Sequence, residues 1–210
     1  MRSACRRRAL LETMPIDASV IVMVFARAPL AGQVKTRLIP RLGAEGAARL
    51  QRRLILGALR TAGAVGRVEL HVTRRHSWLR RLGVALRLQR GRDLGERMHH
   101  ALSRRRFAVL MGSDAPALRP ADLRQAVRWL RGGTDVVLAP AEDGGYALIA
   151  ARRIDARVFA GIRWGTDEVL ARTLDNLERR GLRYRLLRTV WDVDRPDDLD
   201  RLPALRFASR

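Results

Sequence analysis

The 210-residue sequence predicts a single α/β layer fold, and three observations carry that prediction. Apolar runs of strand length, bounded by turn residues, alternate with stretches whose apolar residues recur at helical spacing. No internal repeat or low-complexity linker breaks the alternation. Acids and glycines gather where the runs end rather than within them. At ~150 residues per domain the length argues for one domain.

Val20–Ala26 has the length and β-branched content of a buried parallel strand. The loop that leaves it carries Pro29, Gly32, Lys35 and Arg37. Ala44–Thr61 reads as a helix, from Ala47, Leu50, Leu54 and Leu59. Arg67–Thr73 alternates polar with apolar and reads as a strand, a helical piece spans Ser77–Leu82, and a third strand spans Val84–Gln89. Gly91 and Gly95 bracket Asp93 ahead of a helix starting near Leu94, which Asp93 could cap. Arg106–Gly112 is a buried strand running into Ser113-Asp114-Ala115-Pro116. Pro120 opens a helix to Arg131, ended by Gly132-Gly133. Thr134–Ala139 and Tyr146–Ala151 are strands joined through Glu142-Asp143-Gly144-Gly145, a stretch that could be a hairpin turn. Asp167–Arg180 is a helix with Thr166 as its expected cap. Arg183–Trp191 is the last strand, followed by Asp192-Val193-Asp194 and a short helix at Asp197–Leu202.

The totals narrow the function. A hydrophobic fraction of 47% is globular, while a net charge of +21 favours anionic partners. Aromatics are only 5% and do not interleave with the basic residues, so a base-stacking platform is not indicated and nucleic acid is not the favoured partner. Cys5 is the lone cysteine, which excludes an intramolecular disulfide and fits a cytoplasmic setting. No apolar run approaches the ~20 residues of a membrane span. Residues 1–17 read as a flexible basic N-terminal arm, too short in its apolar patch Ala9–Leu11 for a signal core, with Met14 a second candidate start.

Of 42 basic residues only one, Lys35, is lysine. Lys is a compact point charge where Arg is a planar fork, so a Lys in this company suits a phosphate that shifts during reaction. Across the chain, Asp114, Glu142, Asp143, Asp192 and Asp194 all follow strands. Open α/β sheets bind ligands at the carboxyl ends of their strands, so these acids share a rim with Lys35 and Arg37 if the strands are neighbours. Acids opposite cations describe a site for a nucleotide diphosphate with Mg2+ or Mn2+. Other phosphate motifs are missing: Val34 stands where a P-loop needs Gly, and no G-x-G-x-x-G follows the first strand.

FARAPLAGQVKTRL (25–38), DLGERM (93–98), GSDAP (112–116), EDGGYALI (142–149), RWGTDEVL (163–170) and WDVDRPDDL (191–199) occur in that order. In these the chain resembles the bacterial transferases of the nucleotide-diphospho-sugar transferase (GT-A) superfamily. Members are often labelled radical-SAM/selenodomain-associated transferases or arsenosugar-biosynthesis glycosyltransferases. The resemblance implies a GT-A-like domain over residues 18–210: a three-layer sandwich with a mixed, mostly parallel sheet, the nucleotide lying over the first strand's loop. Ala26, Arg27, Gly32, Lys35, Arg37, Asp93 and Gly95 would then bind nucleotide or phosphate. Asp114 would bind metal, with Asp192 or Asp194 as the second acid, since Ala115-Pro116 follow Asp114 and a full D-x-D is missing. Gly144, Gly145, Tyr146, Trp164 and Thr166 would shape the sugar or acceptor side, Asp143 or Glu142 would activate or orient the acceptor hydroxyl, and Lys35 with Arg37 would stabilise the leaving diphosphate. The expected activity is metal-dependent glycosyl transfer from a nucleotide-sugar to a small-molecule acceptor. The alternatives are nucleotidyl transfer from an NTP with release of pyrophosphate, and an Arg-rich nucleic-acid binder.

Overall fold

The computed structural model describes residues 17–105 and 107–202. Seven strands form one sheet: β1 (Asp17–Ala26), β2 (Gly66–Val72), β3 (Ala85–Leu88), β4 (Ala108–Gly112), β5 (Val136–Pro140), β6 (Tyr146–Ala151) and β7 (Tyr184–Leu186). Their order is β3-β2-β1-β4-β6-β5-β7. Every neighbouring pair is parallel except the two made by β6, which runs antiparallel to β4 and β5. The sheet is therefore mixed and mostly parallel.

The period-2 alternation of each strand divides its side chains between two cores. Val20, Val22, Val24 and Ala26 of β1 face one side with Val109 and Met111 of β4. Helices α1 (Ile39–Gly63) and α4 (Pro120–Arg131) cover that side. Met23 and Phe25 face the other, with Ala108 and Leu110, under α3 (Leu94–Leu102) and α5 (Val169–Arg179). The short α2 (Ser77–Arg80) completes the first layer through Leu79. Helix, sheet and helix make three layers. Among the described residues no helix is long and apolar enough to cross a membrane.

Several elements differ from their sequence readings. Asp17, assigned to the N-terminal arm, begins β1: its amide donates to the Val65 carbonyl, and its carboxylate pairs with Arg131. Residues 1–16 of that arm lie outside the described residues. Helix α1 is two helical pieces: a first turn from Ile39, with Pro40 in it, breaks at Gly43, whose backbone (φ 68°, ψ 164°) is not helical, and the main helix then starts at Ala44, as the sequence reading has it. The last strand pairs only over Tyr184–Leu186; Val190 then returns as an isolated parallel bridge to Ala141. Helix α5 begins at Val169 with no side-chain cap, since the Thr166 hydroxyl donates backwards to the Arg163 carbonyl.

Candidate functional site

Strand order reverses direction beside β1: β2 follows on one side and β4 on the other. The crevice outside the carboxyl ends of such strands is where α/β sheets accept ligands. Here it is a cleft of ≈ 670 Å³, lined by the β1 loop (Ala26, Arg27, Lys35, Arg37), by Asp114 after β4 and by Asp143 and Gly145 between β5 and β6. Tyr146, Trp164, Thr166, Asp192 and Asp194 complete the lining.

Three segments distant in sequence are stitched together at Val193, which is fully buried. Its amide donates to the Asp114 carbonyl at 2.9 Å. Its own carbonyl accepts from Lys35 Nζ at 2.5 Å, and the same ammonium lies 3.3 Å from Asp114 Oδ2. Lys35 adopts a left-handed backbone (φ 48°, ψ 44°), costly for a non-glycine residue, and its side chain is only 7% exposed. The strain aims the ammonium inward. Arg37, by contrast, reaches out to Asp194 Oδ2 at 2.5 Å. Both cations expected to grip phosphate are thus engaged with acids, as opposite charges pair when no other anion competes. Arg27 is exposed on the cleft wall.

Asp192 is the electrostatic focus. Burial, then repulsion from Asp114 and Asp143, pushes its pKa up to about 6 against the pull of Lys35. Ionised Asp192 therefore opposes folding: its favourable contribution is complete below the unfolded value of 3.8 and is lost as pH rises through about 6. Relative to Asp192→Asn, the metal-free wild type should gain stability between pH 7 and pH 5. The gain should be roughly 1 kcal/mol once solvent screening of this partly exposed group is allowed for. Urea denaturation at the two pH values checks it, and equal pH dependence in the two proteins would refute it.

Asp114, Asp192 and Asp194 all face the cleft, yet among the described residues no group of three or more His, Cys, Asp or Glu is placed to hold a metal ion. Asp194 is turned to Arg37. Asp114 and Asp192 remain, and their mutual repulsion is what a divalent cation would relieve. Two carboxylates completed by phosphate oxygens and water are an ordinary donor set for Mg2+. The residues present fit such an ion.

Other expected site residues do different work. Asp93 caps α3, accepting from the Glu96 amide at 2.8 Å, and does not line the cleft. Gly95 is a packing residue: a Cβ there would lie 2.8 Å from both Phe159 and Trp164. Gly95→Ala should destabilise by about 1–3 kcal/mol through overpacking. Trp164→Leu in the same chain should recover part of that loss, a coupling measurable by a double-mutant cycle in urea. Gly32 (φ 77°) turns the β1 loop without lining the cleft. Gly144 (φ 85°) is required by the hairpin, where a Cβ would meet the Asp167 carbonyl at 2.2 Å. Glu142 points away, held below the usual carboxylate range by a two-point pair with Arg201. Asp143 stays in the cleft, with Oδ1 accepting from the Gly145 amide at 2.9 Å. The Tyr146 hydroxyl is buried, which raises its pKa and keeps its proton on.

One contributor was missed. Gln51 of α1 is 2% exposed, and its Nε2 donates at 3.3 Å to both the Arg27 carbonyl and Ser113 Oγ. It ties the β1 loop to the Asp114 loop. A polar residue on the apolar stripe of an arginine-rich helix was the only signal in the sequence.

No curated protein matches the chain in sequence. Among solved structures, a protein provisionally named a nucleotide-diphospho-sugar transferase, from Desulfovibrio desulfuricans G20, is 30% identical with a TM-score of 0.82, over 92% of this chain and 90% of that one. A CMP:2-keto-3-deoxy-manno-octonic acid synthetase complexed with CTP is 13% identical (TM-score 0.55, 88% and 96% covered). Rv0371C from Mycobacterium tuberculosis H37Rv, in complex with manganese, is 19% identical (TM-score 0.52, 88% and 98% covered). The latter two share the fold. Residues 44–166, more than half of the sequence, match the family described as "Uncharacterized protein conserved in bacteria (DUF2064)", and the chain belongs to that family.

Proposed function

We propose that this protein is a transferase that binds a nucleotide-diphospho-sugar in the β1–β4 cleft and passes the sugar to a small-molecule acceptor. The observation that carries the reading is the meeting of Lys35, Arg27 and Arg37 with Asp114, Asp143 and Asp192 around ≈ 670 Å³ at the switch point of the sheet. The name given to the 30%-identical neighbour supports it. Mg2+ or Mn2+ held by Asp114 and Asp192 would neutralise charge on the diphosphate, and the manganese complex of a structural neighbour agrees with such an ion.

The chain's own residues divide the remaining work. Arg27 and Arg37 contact the diphosphate, Arg37 exchanging Asp194 for a phosphate oxygen. Lys35 offsets the acid cluster and fixes the Asp192 segment against the Asp114 loop through Val193. Asp143, on the opposite lip, accepts the proton of the acceptor hydroxyl as that oxygen bonds to the sugar's anomeric carbon. The bond from that carbon to the diphosphate oxygen breaks, and nucleoside diphosphate leaves. Trp164 and Thr166 bound the acceptor side.

Nucleotidyl transfer on the same scaffold is the second reading, favoured by Pro116 where a D-x-D would have its second Asp and by the likeness to a CTP-bound synthetase. A thermal-shift screen of nucleotides and nucleotide-sugars with and without Mn2+ tests the site: metal-dependent stabilisation is expected, and stabilisation indifferent to metal counts against it. Product analysis then decides between the two, because free nucleoside diphosphate marks glycosyl transfer and pyrophosphate marks nucleotidyl transfer.

A further inference from the structure

The arginine excess is not shared evenly between the cleft and a second cavity. Of the thirty residues lining the cleft, three are arginines. A cavity of ≈ 460 Å³ on the other side of α3 has five among eleven: Arg75, Arg87, Arg90, Arg104 and Arg105. With 41 arginines in 210 residues, composition alone would put about two there. The two cavities have no lining residue in common.

The fold explains the opening. Helix α3 packs over β1 and β4 through Met98, Ala101 and Leu102, and a cavity opens beside it over the same face of β2 and β3 at the sheet edge. Glu69 and His71 of β2 form the floor, with Arg87 of β3 in register beside His71. Glu69 accepts from His71 Nε2 at 3.0 Å and pairs with Arg105 at 3.0 Å, and its charge also acts on Arg87 from beyond ion-pair distance, so one carboxylate faces five guanidinium groups. Among the described residues, Arg75, Arg87, Arg90 and Arg104 form no ion pair with an acid, and all four are exposed. A charged edge strand discourages edge pairing, and cations suit a helix C-terminus, which accounts for Arg87 and Arg104 singly. Neither accounts for arginines from three separate segments converging on one concavity.

We propose that this cavity is a second anion site, which takes an oligophosphate group, either free or as the tail of a nucleotide. Several guanidinium forks around one hollow suit a compact anion with many oxygens, because each fork can give two parallel hydrogen bonds. The wall between the sites is thin. The His71 ring stacks on Phe25 with centroids 5.4 Å apart, and Phe25 lines the cleft. An occupant of one site therefore lies one aromatic layer from the other.

The test is calorimetric titration of tripolyphosphate into the full chain in EDTA, which silences metal-dependent binding in the cleft. Binding should weaken at least tenfold in Arg87→Gln/Arg104→Gln, recover in part in Arg87→Lys/Arg104→Lys, and change less than twofold in the cleft variant Arg37→Gln. Circular dichroism confirms that the variants are folded. A nucleoside triphosphate binding tenfold more tightly than tripolyphosphate, with the same loss in the Gln pair, would identify a nucleotide tail as the source. Equal affinities would identify free oligophosphate. Wild-type affinity in the Gln pair, or loss confined to Arg37→Gln, overturns the site. So does binding seen only with an oligoribonucleotide, which would mark a nucleic-acid surface instead.

Discussion

Asp114→Ala is expected to lower turnover by on the order of 10³-fold while shifting the urea midpoint little. Removing one preorganised charge at a reacting centre typically has an effect of that size. Asp114 follows β4 with its side chain 43% exposed, so its ion pair with Lys35 adds about 1 kcal/mol or less to stability. The bond that holds the Asp192 segment in place, from the Val193 amide to the Asp114 carbonyl, uses backbone atoms and survives in the variant. Loss of the carboxylate also lifts one of the repulsions on Asp192. Rates with nucleotide-sugar and acceptor, set beside urea denaturation, read both quantities. Turnover within tenfold of wild type would remove Asp114 from the chemistry.

Lys35→Met should fail differently, losing stability as well as rate. The ammonium is nearly buried, so its removal leaves the Val193 carbonyl without its donor and Asp114, Asp192 and Asp143 without their shared counter-charge. Stripping one partner from a buried charged network costs about 2–4 kcal/mol. Mn2+ should return part of this to Lys35→Met and much less to Lys35→Met/Asp192→Asn, because the gain depends on that carboxylate. Lys35→Arg should not substitute, since a planar guanidinium does not fit a 7%-exposed slot shaped for a point charge. Denaturation midpoints with and without metal check the series. A Lys35→Met protein of wild-type stability would show that the ammonium is not the strut of the site.

Much of the scaffold was legible because burial writes itself into local periodicity. Pro120–Arg131 and Tyr146–Ala151 match their sequence readings residue for residue, the first bracketed by Pro and Gly, the second a continuous apolar run. The last strand was over-read because Arg183–Trp191 keeps strand-like composition after its ladder has ended at Leu186. Thr166 was misread as a cap because a hydroxyl before a helix has two backbone choices, and packing selected the Arg163 carbonyl. Gly95 and Gly144 drew attention as ligand-facing glycines, yet what excludes a side chain there is protein: Trp164 in one case, the Asp167 carbonyl in the other.

The amino-acid order alone determined the alternation of strands and helices, the gathering of acids at strand ends and the singling-out of Lys35, since each depends on neighbours in the chain. Only the tertiary structure decided that β6 enters the sheet antiparallel between β4 and β5, that Lys35 spends its charge on Asp114 and Val193, and that Glu142 turns away while Asp143 stays. Those outcomes rest on pairings across as many as 158 positions. Long-range pairings follow from which surfaces pack and which charges are left to compensate, and no local pattern encodes either.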